Sequence, residues 1–253
     1  MKVQISVVII TLNEEKNIGR CLESVKGIAD EIVVVDSFST DKTEEICLSY
    51  GAKFIKHKFE GHIEQKNYAA SQATHNHVLA LDADEALSEE LKQSIIKVKN
   101  DWQGDGYKMN RLANYCGTWI RHSGWYPDTK LRLVDRTKGS WGGNNPHDRF
   151  FLEKGAKIIQ LKGDLLHYTY YTIEEHIIQI NKFSTISANA LFEKGIRSNN
   201  LKVLFKPLGK FIRNYILKAG FMDGYYGFII CRITAFETYL KYLKLHNLWK
   251  NRK

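Results

Sequence analysis

The residues best suited to chemistry here are carboxylates. Asp82-Ala83-Asp84 follows directly on the apolar run His77–Asp82. Two carboxylates at i and i+2 in a loop can approach one hard cation, and oxygen ligands of this kind suit Mg²⁺ or Mn²⁺ with phosphate oxygens completing the shell. A lone Asp-x-Asp also arises by chance in a chain of this length, and Ser88 downstream would account for acids near a helix start. Two further acidic loops follow apolar runs, Thr11-Leu12-Asn13-Glu14-Glu15 and Asp36-Ser37. A carboxylate held at a strand end can accept a base N–H or a ribose hydroxyl. Helix capping would account for Asn13, Glu14, Glu15 and Asp41. It does not account for Asp36, which lies well before its helix.

Such acids need a scaffold. Val3–Ile10, Glu31–Asp36 and His77–Asp82 are continuous apolar, β-branched runs, the pattern of strands buried on both faces, and Lys53–Lys56 reads as a shorter strand. Between them lie helices expected at about Glu15–Val25, Lys42–Tyr50 (with Ser39-Thr40-Asp41 available to cap it) and His62–Ala73. A fourth, capped by Ser88, sets Leu91, Ile95 and Val98 on one face. The βαβαβαβ order predicts an α/β fold with a mostly parallel, Rossmann-like sheet and helices on both faces. Ligands in such sheets bind outside the carboxyl ends of the strands, where all three acidic loops fall. No Gly-x-Gly-x-x-Gly or Walker A sequence occurs, so ordinary dinucleotide and P-loop readings lack their phosphate loops. From Tyr107 to about Tyr168, short alternating segments (Tyr107–Tyr115, Lys130–Val134, Lys157–Leu161) predict a smaller mixed or antiparallel part. A long helix follows from Ile173 to about Lys194, with Ile173, Ile177, Ile180 and Ile186 among its apolar positions.

The charge is unevenly placed. The chain has 37 Lys+Arg against 28 Asp+Glu, a formal charge of +9, and residues 201–253 hold 11 basic and 2 acidic residues, which is all of that excess. The same tail carries 11 aromatics, and Leu201–Leu217 interleaves Val203, Leu204, Leu208, Phe211, Ile212 and Tyr215 with lysines. That composition predicts an interfacial helix on an anionic leaflet, with packing on the body or a homodimer as the plainer outcome. A hydrophobic fraction of 43% excludes a disordered chain. No apolar run in the tail nears the ~20 residues of a spanning helix. The stretch after Met1-Lys2 runs into Thr11–Glu15 with no cleavage site, which predicts a first strand and not a signal peptide. Cys21, Cys47, Cys116 and Cys231 form no Cys-x-x-Cys and read as reduced cytosolic thiols.

Taken together, SVVIITLNEEKNIGRCLESV, EIVVVDSFSTDKT, QKNYAASQA and VLALDADE resemble the family 2 glycosyltransferases, which have the GT-A nucleotide-sugar-binding fold. The resemblance is dense over residues 3 to about 100 and thinner to about Ser187. Within the family the chain most resembles the bacterial branch that adds a sugar, often glucose, to the inner core of lipopolysaccharide. The tail words GFMDGYYGFII and KYLKL resemble the ends of that branch. The resemblance implies a donor half at 1–105 and an acceptor half at 106–200 within one domain, followed by the helical tail 201–253. Thr11, Leu12, Asn13, Glu14, Asp36 and Ser37 would hold the uridine of a UDP-sugar, with Asp36 at the uracil edge. Lys66 would lie near the phosphates, Asp82 and Ala83 near ribose or donor sugar, and Asp84 on the metal.

Asp148, in Asn144-Asn145-Pro146-His147-Asp148-Arg149, is the candidate base that takes the acceptor hydroxyl's proton; the family more often has Glu-Asp where this chain has His-Asp. Asp128 is the rival base, and Asp148 could instead simply pair with Arg149 or Arg132. The resemblance also makes His167 a candidate further metal ligand and directs Arg132 to phosphates or acceptor. Trp125 and Tyr126 could stack on a sugar ring or pack in a core. The expected reaction is a metal-dependent inverting transfer to a hydroxyl of a glycan or glycolipid, at the inner face of a bacterial cytoplasmic membrane. A nucleotidyltransferase acting on sugar phosphates would need a Gly-rich basic loop after the first strand, where this chain has TLNEE. A nucleic-acid partner for the basic tail is the third reading, and the neutral body does not require one.

Overall fold

The computed structural model describes residues 2–144 and 147–251. Asn145 and Pro146 of the segment before Asp148, and Arg252 and Lys253 of the tail, lie outside them. The chain divides into two compact units, one of residues 1–111 and 128–168, the other of residues 112–127 and 169–253. In chain order the elements begin β1 (Ile5–Thr11), α1 (Ile18–Ser24), β2 (Glu31–Asp36), α2 (Thr43–Ser49), β3 (Lys53–Lys56), α3 (His62–Ser71) and β4 (His77–Asp82). They continue with β5 (Glu85–Leu87), α4 (Glu89–Asn100), β6 (Gly106–Tyr115), β7 (Thr118–Ile120), β8 (Asp128–Asp135), β9 (Gly139–Asn144), β10 (His147–Leu152) and β11 (Ile158–Tyr170). The last are α5 (Ile173–Glu193), α6 (Asn200–Ile212) and α7 (Gly224–Lys250).

The sheet of the first unit has the order β3-β2-β1-β4-β8-β6-β11-β5. β3, β2, β1 and β4 are parallel, as the buried apolar runs predicted, whereas β8 pairs antiparallel with β4 and with β6, and β11 antiparallel with β5. Register sets Thr11 opposite Asp36 and Ile10 opposite Asp82, so three acidic loops leave the sheet side by side.

Period-two alternation gives each strand two buried faces. Ile5, Val7, Ile9, Val34, Leu79 and Leu81 pack under Ile18 and Leu22 of α1, Cys47 of α2, and Leu91 and Ile95 of α4. Val8, Val33, Val35, Val78 and Ala80 pack under Ala69 of α3, Ala73 beyond it, and Trp141 and Phe150 of the β9–β10 hairpin. β11 is longer than expected because it passes the start of α4 without a side chain in the way. A Cβ on Gly163, where φ is +87°, would lie 2.2 Å from the Leu91 nitrogen. Ser88 caps α4 by accepting from Leu91 N–H at 3.3 Å, and its hydroxyl also accepts from Asp164 N–H at 3.0 Å.

In the second unit β7 pairs with Ala113–Tyr115 of β6. Tyr115, Ile120 and Ile230 form a small core with Trp125, Tyr170 and Tyr226 around it. The buried residues of α5 are His176, Ile180, Ser184 and Ala188, a four-residue spacing of mostly small or polar groups. Of the expected apolar positions Ile177 and Ile186 are exposed. The reason is polar pairing with α7: Lys244 donates to Asn181, Ser184 and Thr185 at 2.8 Å each. The tail breaks between its helices through a π turn at Arg213–Leu217 and a 3₁₀ turn at Gly220–Asp223. A Cβ on Gly227 would lie 2.0 Å from the Gly220 carbonyl oxygen, so only glycine lets α7 begin there. Among the described residues no helix is long and apolar enough to cross a membrane.

Candidate active site

The two loops after β1 and β2 are laced together. Asn13, in the left-handed region at φ +54°, donates its N–H to Ser39 Oγ (2.7 Å) and accepts from Thr40 N–H (2.8 Å). Glu14 N–H donates to Thr43 Oγ1 (2.8 Å) and Glu15 N–H to Asp41 (3.1 Å). These cross-links delay α1 to Ile18, so Asn13 is not the helix cap the sequence suggested. Asp41, one residue before the Lys42 N-cap position of α2, accepts from Thr43 N–H at 3.0 Å. Asp36 is fully buried and accepts from both Ser39 N–H and Ser39 Oγ. Its carboxylate therefore shapes the 36–39 turn. Thr11 Oγ1 is buried with no partner among the described residues, while Leu12 and Phe38 stand exposed on the two loops.

Alternation puts Asp82 on the same face of β4 as Val78 and Ala80, toward α3 and the hairpin. Lys66 lies on the buried face of α3 with Ala69. Its ammonium is 2.9 Å from Asp148 and 3.1 Å from Asp82, above the Trp141 ring. Asp148 lies on the Phe150 side of β10, opposite Gly143. Asn67 fixes the hairpin by exchanging hydrogen bonds with both backbone groups of Trp141 at 2.9 Å. Arg132, on β8, donates to Asp82 (2.7 Å) and to Glu85 (2.8 Å). Arg111 reaches Glu85 (3.3 Å) and Asp128 (2.8 Å), and Lys130 closes on Asp128 at 3.0 Å.

Eight side chains thus alternate in sign: Asp148, Lys66, Asp82, Arg132, Glu85, Arg111, Asp128, Lys130. Of the two candidate bases, Asp148 ends this ladder and Asp128 stands one place from its other end. Burial alone would raise the Asp82 carboxyl, but Arg132 and then Lys66 outweigh it and hold it well below the usual range. Burial works against the charged Arg132, yet Asp82 and Glu85 reverse that and raise it. Asp128 is likewise lowered, Arg111 and Lys130 overcoming burial. The ladder is neutral as a whole, so it holds no net charge with which to balance a diphosphate.

Asp84 sits outside the ladder, in the turn between β4 and β5. His167 Nε2 is 3.1 Å from its carboxylate, and Tyr168 N–H donates to its carbonyl at 3.0 Å. Glu14 is near: burial chiefly, and Asp84 in part, push its carboxyl up. Among the described residues no group of three or more His, Cys, Asp and Glu could hold a metal ion. Asp84 and His167 are donors of the right kind for a divalent ion whose remaining ligands come from phosphates and water. Asp82 is already engaged by two cations.

The structure brings together Lys66, Asp82, Asp148 and Arg132, and separately Thr11, Asn13, Glu14, Asp36 and Ser37. Ala83 is buried in the core beneath the turn. Trp125 and Tyr126 belong to the second unit, where Trp125 packs edge-on to Tyr115 and His176. Sequence reasoning placed Glu85 at the strand end but gave it no role, though it is fully buried and bound by two arginines, and it missed Arg111 and Trp141. The one available signal for Glu85 was an acid directly behind Asp82-Ala83-Asp84 in a strand-like triplet.

The family model for glycosyl transferase family 2 matches residues 6–196. The chain belongs to that family. It is 32% identical over 256 residues to an uncharacterized glycosyltransferase of Rickettsia typhi, covering 97% of this chain and 87% of that protein. It is 30% identical over 252 residues to the lipopolysaccharide core biosynthesis glycosyltransferase LpsC of Rhizobium meliloti, covering 97% and 93%. Among solved structures S. aureus TarS matches with a TM-score of 0.50 at 18% identity, over 74% of this chain and 40% of that one, a likeness of fold. The fold is GT-A, and this family 2 member is a glycosyltransferase.

Proposed function

We propose that this glycosyltransferase moves a sugar, glucose in our reading, from a UDP-sugar to a hydroxyl of a glycan or glycolipid such as lipopolysaccharide core, with inversion. The carrying observation is the neutral charge ladder beside the Asp84–His167 pair. UDP leaves only if its growing negative charge is neutralised, and side chains already paired with one another cannot do that alone. Asp84 and His167 would hold Mn²⁺ or Mg²⁺, which when bound supplies Lewis-acid neutralisation of the diphosphate. Residues 1–105 would form the donor half. There the partnerless Thr11 hydroxyl and the loop carrying Asp36 and Ser37 meet the nucleoside, with Leu12 and Phe38 offering apolar faces to its base. Asp82 contacts ribose or sugar, held in place by Arg132.

Residues 106–200 would bring the acceptor. Asp148 takes its proton as the oxygen attacks C1 from the side opposite UDP. In the structure the Lys66 ammonium holds the Asp148 carboxylate at 2.9 Å. The donor's phosphates draw on the same Lys66, which frees Asp148 as the ternary complex forms. The acceptor class is supported by the likeness to LpsC, and residues 201–253 would keep the enzyme peripheral on the inner face of the cytoplasmic membrane. The test is a panel of nucleotide sugars assayed for binding and hydrolysis with Mn²⁺. UDP-glucose should bind and turn over, and binding of no nucleotide sugar would overturn the reading.

A further inference from the structure

Helix α6 has three stripes along its length. Val203, Pro207 and Phe211, four residues apart, are half-buried against the rest of the second unit. Leu201, Leu204, Phe205, Leu208 and Ile212 recur at i, i+3, i+4, i+7 and i+11, one helical face. All five are at least 41% exposed, Leu204 reaching 66%. Ile216, Leu217, Phe221 and Met222, in the turns that follow the helix, are exposed as well. The third stripe is Lys202, Lys206, Lys210 and Arg213. It lines a groove of about 660 Å³ whose other wall is α7, with Lys241 and Tyr242.

Apolar residues in such a run are normally the buried face of a helix, and a patch of this extent marks an interaction surface. Its neighbours identify the partner. No acidic residue occurs in α6 or along the groove. Of the two acids of the tail, Asp223 has its side chain 3% exposed and accepts from the N–H groups of Arg121 and His122, and Glu237 is half-buried near Lys241 and Lys210, its carboxyl pushed up chiefly by burial. A straight apolar row flanked lengthwise by cations complements a planar partner that is hydrocarbon below and anionic above.

We infer that this face of α6 docks on the anionic leaflet of a bilayer, its leucines entering the headgroup–acyl boundary and the α6–α7 groove taking lipid phosphates. The inference deepens the peripheral reading above and does not depend on the transfer reaction. Deleting the tail is no test of it, because α7 buries Ile230, Cys231 and Leu245 and its loss would unfold the unit. Point changes on exposed atoms serve instead.

The experiment is co-sedimentation of the full chain with phosphatidylcholine vesicles, with and without phosphatidylglycerol. The protein should bind the anionic vesicles and hardly the neutral ones. L204E/L208E should lower that binding more than about tenfold with the circular dichroism spectrum unchanged. K202Q/K206Q should lower it about 25-fold, at roughly fivefold per cation. Equal binding to both vesicle types, or none, overturns the inference. So does a dimer seen by light scattering that L204E/L208E dissolves, since the face would then belong to a second copy. Nucleotide-sugar binding should be the same in wild type and variants. Failure there in the wild type strikes the proposed function and leaves the vesicle result standing.

Discussion

The first unit gathers eight charged side chains, Asp148 to Lys130, into one ladder, with the Glu85, Arg132 and Lys66 side chains 0%, 4% and 7% exposed. The second unit has 11 basic residues in its tail, yet it leaves Lys206, Arg213, Lys218, Arg232 and Lys250 exposed and turns a row of leucines outward beside them. Burying charge is costly unless every ion is paired, so the ladder must be complete to be stable. Exposing leucine costs the fold little and leaves that surface free to bind. The contrast separates residues held for geometry from residues held for contact.

The sharpest way to break the contrast is to remove the carboxylates that take part in chemistry. Asp84→Ala should reduce Mn²⁺-dependent UDP-sugar turnover below detection, and full activity across a Mn²⁺ titration would remove Asp84 from the metal. Asp148→Asn should lower transfer by about 10²–10⁴-fold while UDP still binds. Collapse of UDP affinity instead would make Asp148 a structural partner of Lys66 and return Asp128 as the base.

Next in size is the ladder itself. Arg132→Met leaves Asp82 and Glu85 facing each other without their shared cation and should cost about 3–5 kcal/mol in urea unfolding. A change below about 1 kcal/mol would mean that the buried charges are not coupled.

Acid should distinguish the two units. His176 is buried beside the Tyr115 hydroxyl at 3.0 Å, and burial lowers its pKa to about 4. The folded value lies below the unfolded ~6.5, so the neutral ring favours the fold above pH 6.5 and that stability is lost as the pH falls toward 4, on the order of 3 kcal/mol. Asp82, lowered from 3.8, keeps its contribution above that pH and loses it only below. Fluorescence of Trp125, which packs on His176, should therefore report loosening before the first unit responds, and His176→Phe should flatten that early phase. The smallest effect belongs to Leu208→Ala on the exposed row, expected within about 0.5 kcal/mol by thermal melting. A loss above about 2 kcal/mol would show that the row is core.

How legible the molecule was depended on where each signal lay. β2 and β4 fall on the expected residues because a strand buried on both faces must be apolar throughout, and β3 does so as a short half-buried strand with a lysine at each end. The Ser88 cap was legible because it acts within one turn. The start of α1 was not, since side chains some 26 residues away hold Asn13 and Glu15 out of the helix. In α5 Ile173 and Ile180 pack inward as expected, whereas Ile177 and Ile186 are exposed and the polar residues beside them pair with Lys244 of α7.

What the sequence determined by itself was local or cumulative: the four parallel strands, the acids at their ends, the family, and a tail carrying the whole net charge. Only the tertiary structure decided which acid meets which base. Lys66, Asp82, Glu85, Arg111, Arg132 and Asp148 come from a helix, several strands and a hairpin, and no spacing along the chain encodes their meeting. It also decided which of two apolar stripes on α6 is covered. Both repeat with the helical period, and only the packing of Val203, Pro207 and Phe211 leaves the leucines bare.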